Sequence, residues 1–144
     1  MAAALARSNL GEALNQFFES DLDVFLGGGP RGCFMLSTAL LVAATHPDIA
    51  ERVSGAMKGL KHAITARIDH AVASGDIPAS SDVEGLSDIV VAVHVALAMR
   101  ARAGEPREAL RRSLRRTVVL VAGGRATVPA AKSRNRSQTV TGSF

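Results

Sequence analysis

Apolar residues return at steps of three and four along nearly the whole chain, and no stretch alternates in the manner of a strand. That period follows the turn of an α-helix and places each apolar set on one face, so the sequence dictates an all-α fold. The first stripe is Leu10, Leu14, Phe17, Phe18, Leu22 and Phe25. Asn9 stands ahead of it as a cap, with Glu12 at the capping-box position, and the Gly27–Gly29 run ends it. A second helix is expected from about Cys33 to Ala44, apolar almost all round through Phe34, Met35, Leu36, Leu40, Leu41 and Val42, and therefore buried on most sides. The third and longest runs from about Pro47 to Ser74 on Ile49, Val53, Met57, Leu60, Ile64, Ile68 and Val72, with Thr45 or His46 at its start. Gly75 closes it, and "DIPASSD" is a loop with Ser81 or Asp82 as the next cap. The fourth covers about Val83 to Ala103 and is apolar on every side in its middle. The fifth opens at Glu105, with Pro106 in its first position and Glu108 near the positive end of the helix dipole. It ends near Gly123, with Leu110, Leu114, Val118 and Val121 facing one way and Arg111, Arg112, Arg115 and Arg116 mostly the other. The expected architecture is a five-helix bundle over 10–123, with an N-terminal tail over 1–9.

Length and composition narrow the function. The 144 residues are 47% hydrophobic, which suits one domain with a core. The aromatics are all Phe and amount to 3%, too few for the stacking platforms that hold single-stranded nucleic acid. The net charge of +4 comes from one end. Arg125, Lys132, Arg134 and Arg136 lie beyond residue 123 with no acid among them, and without them 13 basic residues meet 13 acidic ones. The segment 124–144 is polar, basic and without period, and is expected to be a disordered tail. One cysteine, Cys33, allows no intrachain disulfide and fits a reducing cytoplasm. No secretory pattern opens the chain, and the longest apolar run, Ile89–Met99, is too short to span a bilayer and is interrupted by His94, so no membrane association is expected.

Several local patterns invite a chemical reading. "GGGPRGCFM" contains G-x-G-x-x-G at Gly27, Gly29 and Gly32, but a dinucleotide fingerprint needs a strand before it, and a Phe-bearing helix precedes this one. A phosphate loop needs Lys and then Ser or Thr after Gly32, where this chain has Cys33 and Phe34. The glycines therefore join two helices. Cys33 has no His or acid beside it and is read as core packing. His62 and His70, eight apart on one helix, match no metal spacing, and no metal or other cofactor is expected. His94, inside an apolar helix, is a core histidine hydrogen-bonded to backbone or a partner, an interface polar group, or a ligand contact. "RRSLRR" has the spacing of a solvated helix face. No nucleophile motif and no carboxylate pair at a catalytic spacing occurs, so an enzyme reading has no residues to rest on.

The order of elements adds a resemblance. A Phe-bearing helix is followed by "GPRGCFMLSTALLVAATHPDIAERV", then by a long helix ending "VASGDIPASSDVEGLSDIV", an apolar helix, and "RAGEPREALRRSL". Over about residues 10 to 122 this resembles the C-terminal ligand-binding and dimerisation domain of TetR/AcrR-family bacterial transcriptional regulators. Pro30–Cys33, His46–Asp48 and Ser74–Pro78 are its most specific pieces. The resemblance implies that the last two helices form a four-helix bundle with those of a second copy, giving a homodimer. Val91, His94, Val95, Ala98, Leu114, Val118 and Val121 would lie at that interface. It also implies a pocket for a small apolar organic effector among the earlier helices, with Phe17, Phe18, Phe34, Met35, Met57, Leu60 and Ile64 as apolar candidates and Thr38 and His62 as polar ones. Family members carry an N-terminal helix-turn-helix domain, which these residues lack. DNA would be reached only through such a domain, so the chain reads as a fragment, a mis-started gene product or a natural orphan. An orphan helical dimerisation module would have no ligand of its own and would form heterodimers with intact regulators.

Overall fold

The computed structural model describes residues 9–27, 42 and 45–123. They form four α-helices: α1 (Leu10–Leu26), α2 (Pro47–Ala73), α3 (Val83–Arg102) and α4 (Arg107–Ala122). Apart from Val42, the helix expected over Cys33–Ala44 lies outside the described residues, as do residues 1–8 and 124–144.

Two of the four described helices, α1 and α3, start where a side chain gives an orphan amide a partner, and α2 and α4 start at a proline. Asn9 caps α1, its side chain accepting from the Glu12 amide at 3.2 Å. A second cap comes from far along the chain. Asp76, in the loop after α2, accepts from the Leu10 amide at 2.5 Å, where the positive end of the α1 dipole also favours its charge. Pro47 opens α2 at a position where its missing N–H costs nothing. Gly75, at φ 74°, turns the chain out of α2, and the Asp76 amide reaches back to the Ala71 carbonyl at 2.9 Å. Asp82 caps α3 by accepting from the Gly85 amide at 3.0 Å. Pro106 stands one residue earlier than expected, as the cap of α4 rather than inside it.

The core runs between α1, α3 and α4 and continues along α2. α3 is central, packing on all three other helices, while α1 and α2 barely meet directly. Leu10, Leu14, Phe18 and Leu22 of α1 are buried with Val90, Leu97 and Ala101 of α3, Leu110 and Val121 of α4, and Ile64 and Ile68 of α2. Burying each of the larger side chains stabilises the fold by about 1.5–3 kcal/mol. Ser87 is buried beside them and loses no hydrogen bond, because its Oγ donates to the Val83 carbonyl at 2.7 Å.

Charge reinforces this arrangement at the rims. Arg111 of α4 holds Glu19 of α1 through two parallel bonds, Nε to Oε1 at 2.6 Å and Nη2 to Oε2 at 2.8 Å. Arg107 donates to Asp23 at 2.6 Å and to Glu19 at 3.2 Å. The arginine run is therefore not one uniform solvated face. Arg111 docks on α1, and Arg112, Arg115 and Arg116 point to solvent. Lys61 of α2 pairs with Asp88 and Glu84 of α3, and Arg100 braces the α3–α4 turn through Glu105 and Ser113.

Candidate functional site

Phe17, Ser20, Asp21 and Val24 follow one another at helical spacing and share one face of α1. That face, Ala56, Met57 and Leu60 of α2, and His94 of α3 line a groove of about 330 Å³. The volume lies within the range of small-molecule sites, and the walls are mostly apolar with few polar groups, as in such sites.

The polar groups are specific. His94 Nδ1 lies 2.7 Å from Asp21 Oδ2, with only 13% and 15% of the two side chains exposed. A carboxylate can only accept, so Nδ1 carries the hydrogen and donates it, which leaves Nε2 as the ring nitrogen with bonding capacity to spare. Aromatic rings fix the imidazole from two directions. Phe17 stacks on it at 5.7 Å between centroids and 29° between planes, and Phe25 leans on it at 5.5 Å and 58°. Ser20 Oγ is occupied, donating to the Gln16 carbonyl at 2.8 Å.

The residues expected in a pocket separate. Phe17, Met57 and Leu60 line this groove. Phe18 and Ile64 are buried in the core and are not among the described residues that line it. His62 points to solvent. Phe34, Met35 and Thr38 lie outside the described residues. The sequence reading missed Asp21, Ser20, Val24 and Ala56. Asp21 had a signal: a carboxylate midway between Phe17 and Phe25, four residues from each on the same apolar stripe.

The residues expected at a subunit contact are placed by their own chain. Ala98, Leu114, Val118 and Val121 are between 0% and 5% exposed within a single chain, so little of them is left for a second one to cover. Val91 and Val95 are partly buried against the core, and His94 belongs to the groove. The apolar surface on these two helices consists instead of Ile89, Met99, Val119 and Leu120, with Ala92 and Ala96 between the first two.

Among the described residues no three His, Cys, Asp or Glu gather as a metal site, and no helix is long and apolar enough to cross a membrane. Residues 12–117 match the family described as tetracyclin repressor-like, C-terminal domain. The chain belongs to that family. Its fold is similar to that of a Rhodococcus sp. RHA1 protein assigned as a TetR transcriptional regulator, with TM-score 0.72 and 28% identity over 83% of this chain and 64% of that one. It is also similar to a cysteine mutant of the TetR family transcriptional regulator CifR, complexed with double-strand operator DNA. That likeness has TM-score 0.74 and 22% identity over 81% of this chain and 62% of that one, and at this identity it is a likeness of fold. The chain thus spans less than two thirds of either structure. A comparison with curated proteins gives no match.

Proposed function

We propose that this tetracyclin repressor-like domain is the effector-binding and dimerisation part of a bacterial transcriptional regulator, taking a small, mainly apolar organic molecule between α1, α2 and α3. The observation that carries the reading is the groove itself: apolar walls from α1 and α2 around one mostly buried polar pair, Asp21 of α1 and His94 of α3. The family assignment supports it. Subunit contact would use the outer faces of α3 and α4. Ile89, Met99, Val119 and Leu120, from 42% to 71% exposed, are costly to leave in water and suit a self-complementary two-fold contact. In this reading none of the described helices contacts operator DNA.

Two measurements test the proposal. Light scattering should give a dimer at micromolar concentration, and a clean monomer would remove the dimer arm. The neutral dye N-phenylnaphthylamine should bind saturably, one per chain. Ala56→Trp fills the groove and should abolish that binding without unfolding the chain. Unchanged dye binding in that variant would place the site elsewhere.

A further inference from the structure

The groove has a polar reader whose chemistry selects among apolar molecules. His94 spends Nδ1 on Asp21 and is held between Phe17 and Phe25, which leaves Nε2 for a further partner. Ser20 offers little more, since its hydroxyl already donates to Gln16. No lysine or arginine is among the described lining residues, so an anion would meet the Asp21 carboxylate with no fixed cation to offset it. A cation would have to compete with His94 for a carboxylate that is already engaged and only 15% exposed, and would shed its water against Phe17, Val24, Met57 and Leu60. A neutral hydroxyl meets neither obstacle. It can donate to Nε2 or accept from it, and so serves either form of the ring. The aromatic and sulfur-bearing walls from Phe17 and Met57 suit a flat aromatic body.

We infer that the groove selects a neutral, hydroxyl-bearing aromatic molecule, with His94 Nε2 as the group that reads the hydroxyl. This rests on the groove being the effector site. Another depression has Glu12, Asn15, Gln16 and Glu19 as its described lining, and none of these four offers the apolar wall such a molecule needs.

The test uses the whole chain and probes that share one ring system: naphthol, methylnaphthalene, naphthoate and naphthylmethylammonium. The protein contains neither Trp nor Tyr, so naphthalene emission is read against a dark background. Naphthol should bind about tenfold more tightly than methylnaphthalene, the worth of one hydrogen bond in a partly open site. In His94→Leu the two should bind about equally, with methylnaphthalene still retained. His94→Gln, which keeps an amide against Asp21, should fold even if the leucine variant does not, and should keep part of the hydroxyl preference. Equal binding of naphthol and methylnaphthalene by the unaltered chain overturns the inference and leaves the groove as a site. So does tightest binding of the naphthoate or the ammonium probe, or a hydroxyl preference that survives His94→Leu. Failure of every probe to bind overturns the groove reading itself.

Discussion

Leu114 and Leu120 lie on the same helix, less than two turns apart, and their truncation to alanine should have very different consequences. Leu114 is 5% exposed inside the chain's own core, and Leu120 is 64% exposed. Removing a buried leucine side chain forfeits its transfer energy and leaves a cavity, which together cost about 2–5 kcal/mol. Against a total stability of about 5–15 kcal/mol, Leu114→Ala is severe and should lower the melting temperature by about 10–20 °C. At Leu120 only about a third of the side chain is covered, so the same change should cost the isolated chain less than about 1 kcal/mol. The dimer reading adds a second signature. Association stabilises the folded chain by mass action, so the Leu120→Ala deficit should grow with protein concentration while the Leu114→Ala deficit stays nearly constant. Urea or thermal melts at dilute and at hundredfold higher protein, with light scattering beside them, separate the two. Equal losses for both variants in the dilute sample would refute the division into inner and outer faces. So would a Leu114→Ala variant that melts within a few degrees of the unaltered chain.

Further predictions come from the helix ends and the charged rim. Asp76→Ala removes the distant acceptor of the Leu10 amide and should cost about 1 kcal/mol in urea denaturation, with faster hydrogen exchange confined at first to the start of α1. Gly75→Ala meets no neighbouring atom, so its cost is backbone strain at positive φ alone, about 1 kcal/mol, and the fold as seen by circular dichroism should be unchanged. The hydrogen bond from Arg111, and after it that from Arg107, holds the Glu19 carboxyl below its ordinary 4.5. Its contribution is therefore fully present above that value and is lost as pH falls through the lower folded value. Glu19→Gln should flatten the stability profile below pH 4.5 and leave its shape near neutrality unchanged, as followed by urea melts across acidic buffers.

Much of the fold was legible because its determinants are local. Asn9, Pro47, Gly75 and Asp82 act on backbone groups within a few residues, and each helix begins or ends within a residue or two of where they place it. The stripe on α1 was legible for the same reason. What lay beyond reach was the identity of each partner. The stripe Leu110, Leu114, Val118, Val121 announces burial, but its period is the same whether the covering surface belongs to this chain or to a second one. Phe17 and Phe18 are neighbours on one stripe and both are buried, and only the placing of the other helices makes the first a lining residue of the groove. His94 read as ambiguous because its partner, Asp21, stands 73 positions earlier. Arg111 and Arg112 are indistinguishable by type, and one turn step puts the first against Glu19 and the second in water.

The cap that Asp76 places on α1 bears on the order in which the molecule can assemble. α1 finds its fixed partners at sequence separations of 66 for Asp76, 73 for His94 and 92 for Arg111. Contacts that far apart close large loops before they return any energy. During synthesis α1 is made before the α2, α3 and α4 residues that share its core. The α3–α4 hairpin, joined by four residues and braced by Arg100 and Glu105, can form by itself in the meantime. Of the four described helices α1 thus comes first in the chain, and its fixed contacts are complete only once α4 has followed.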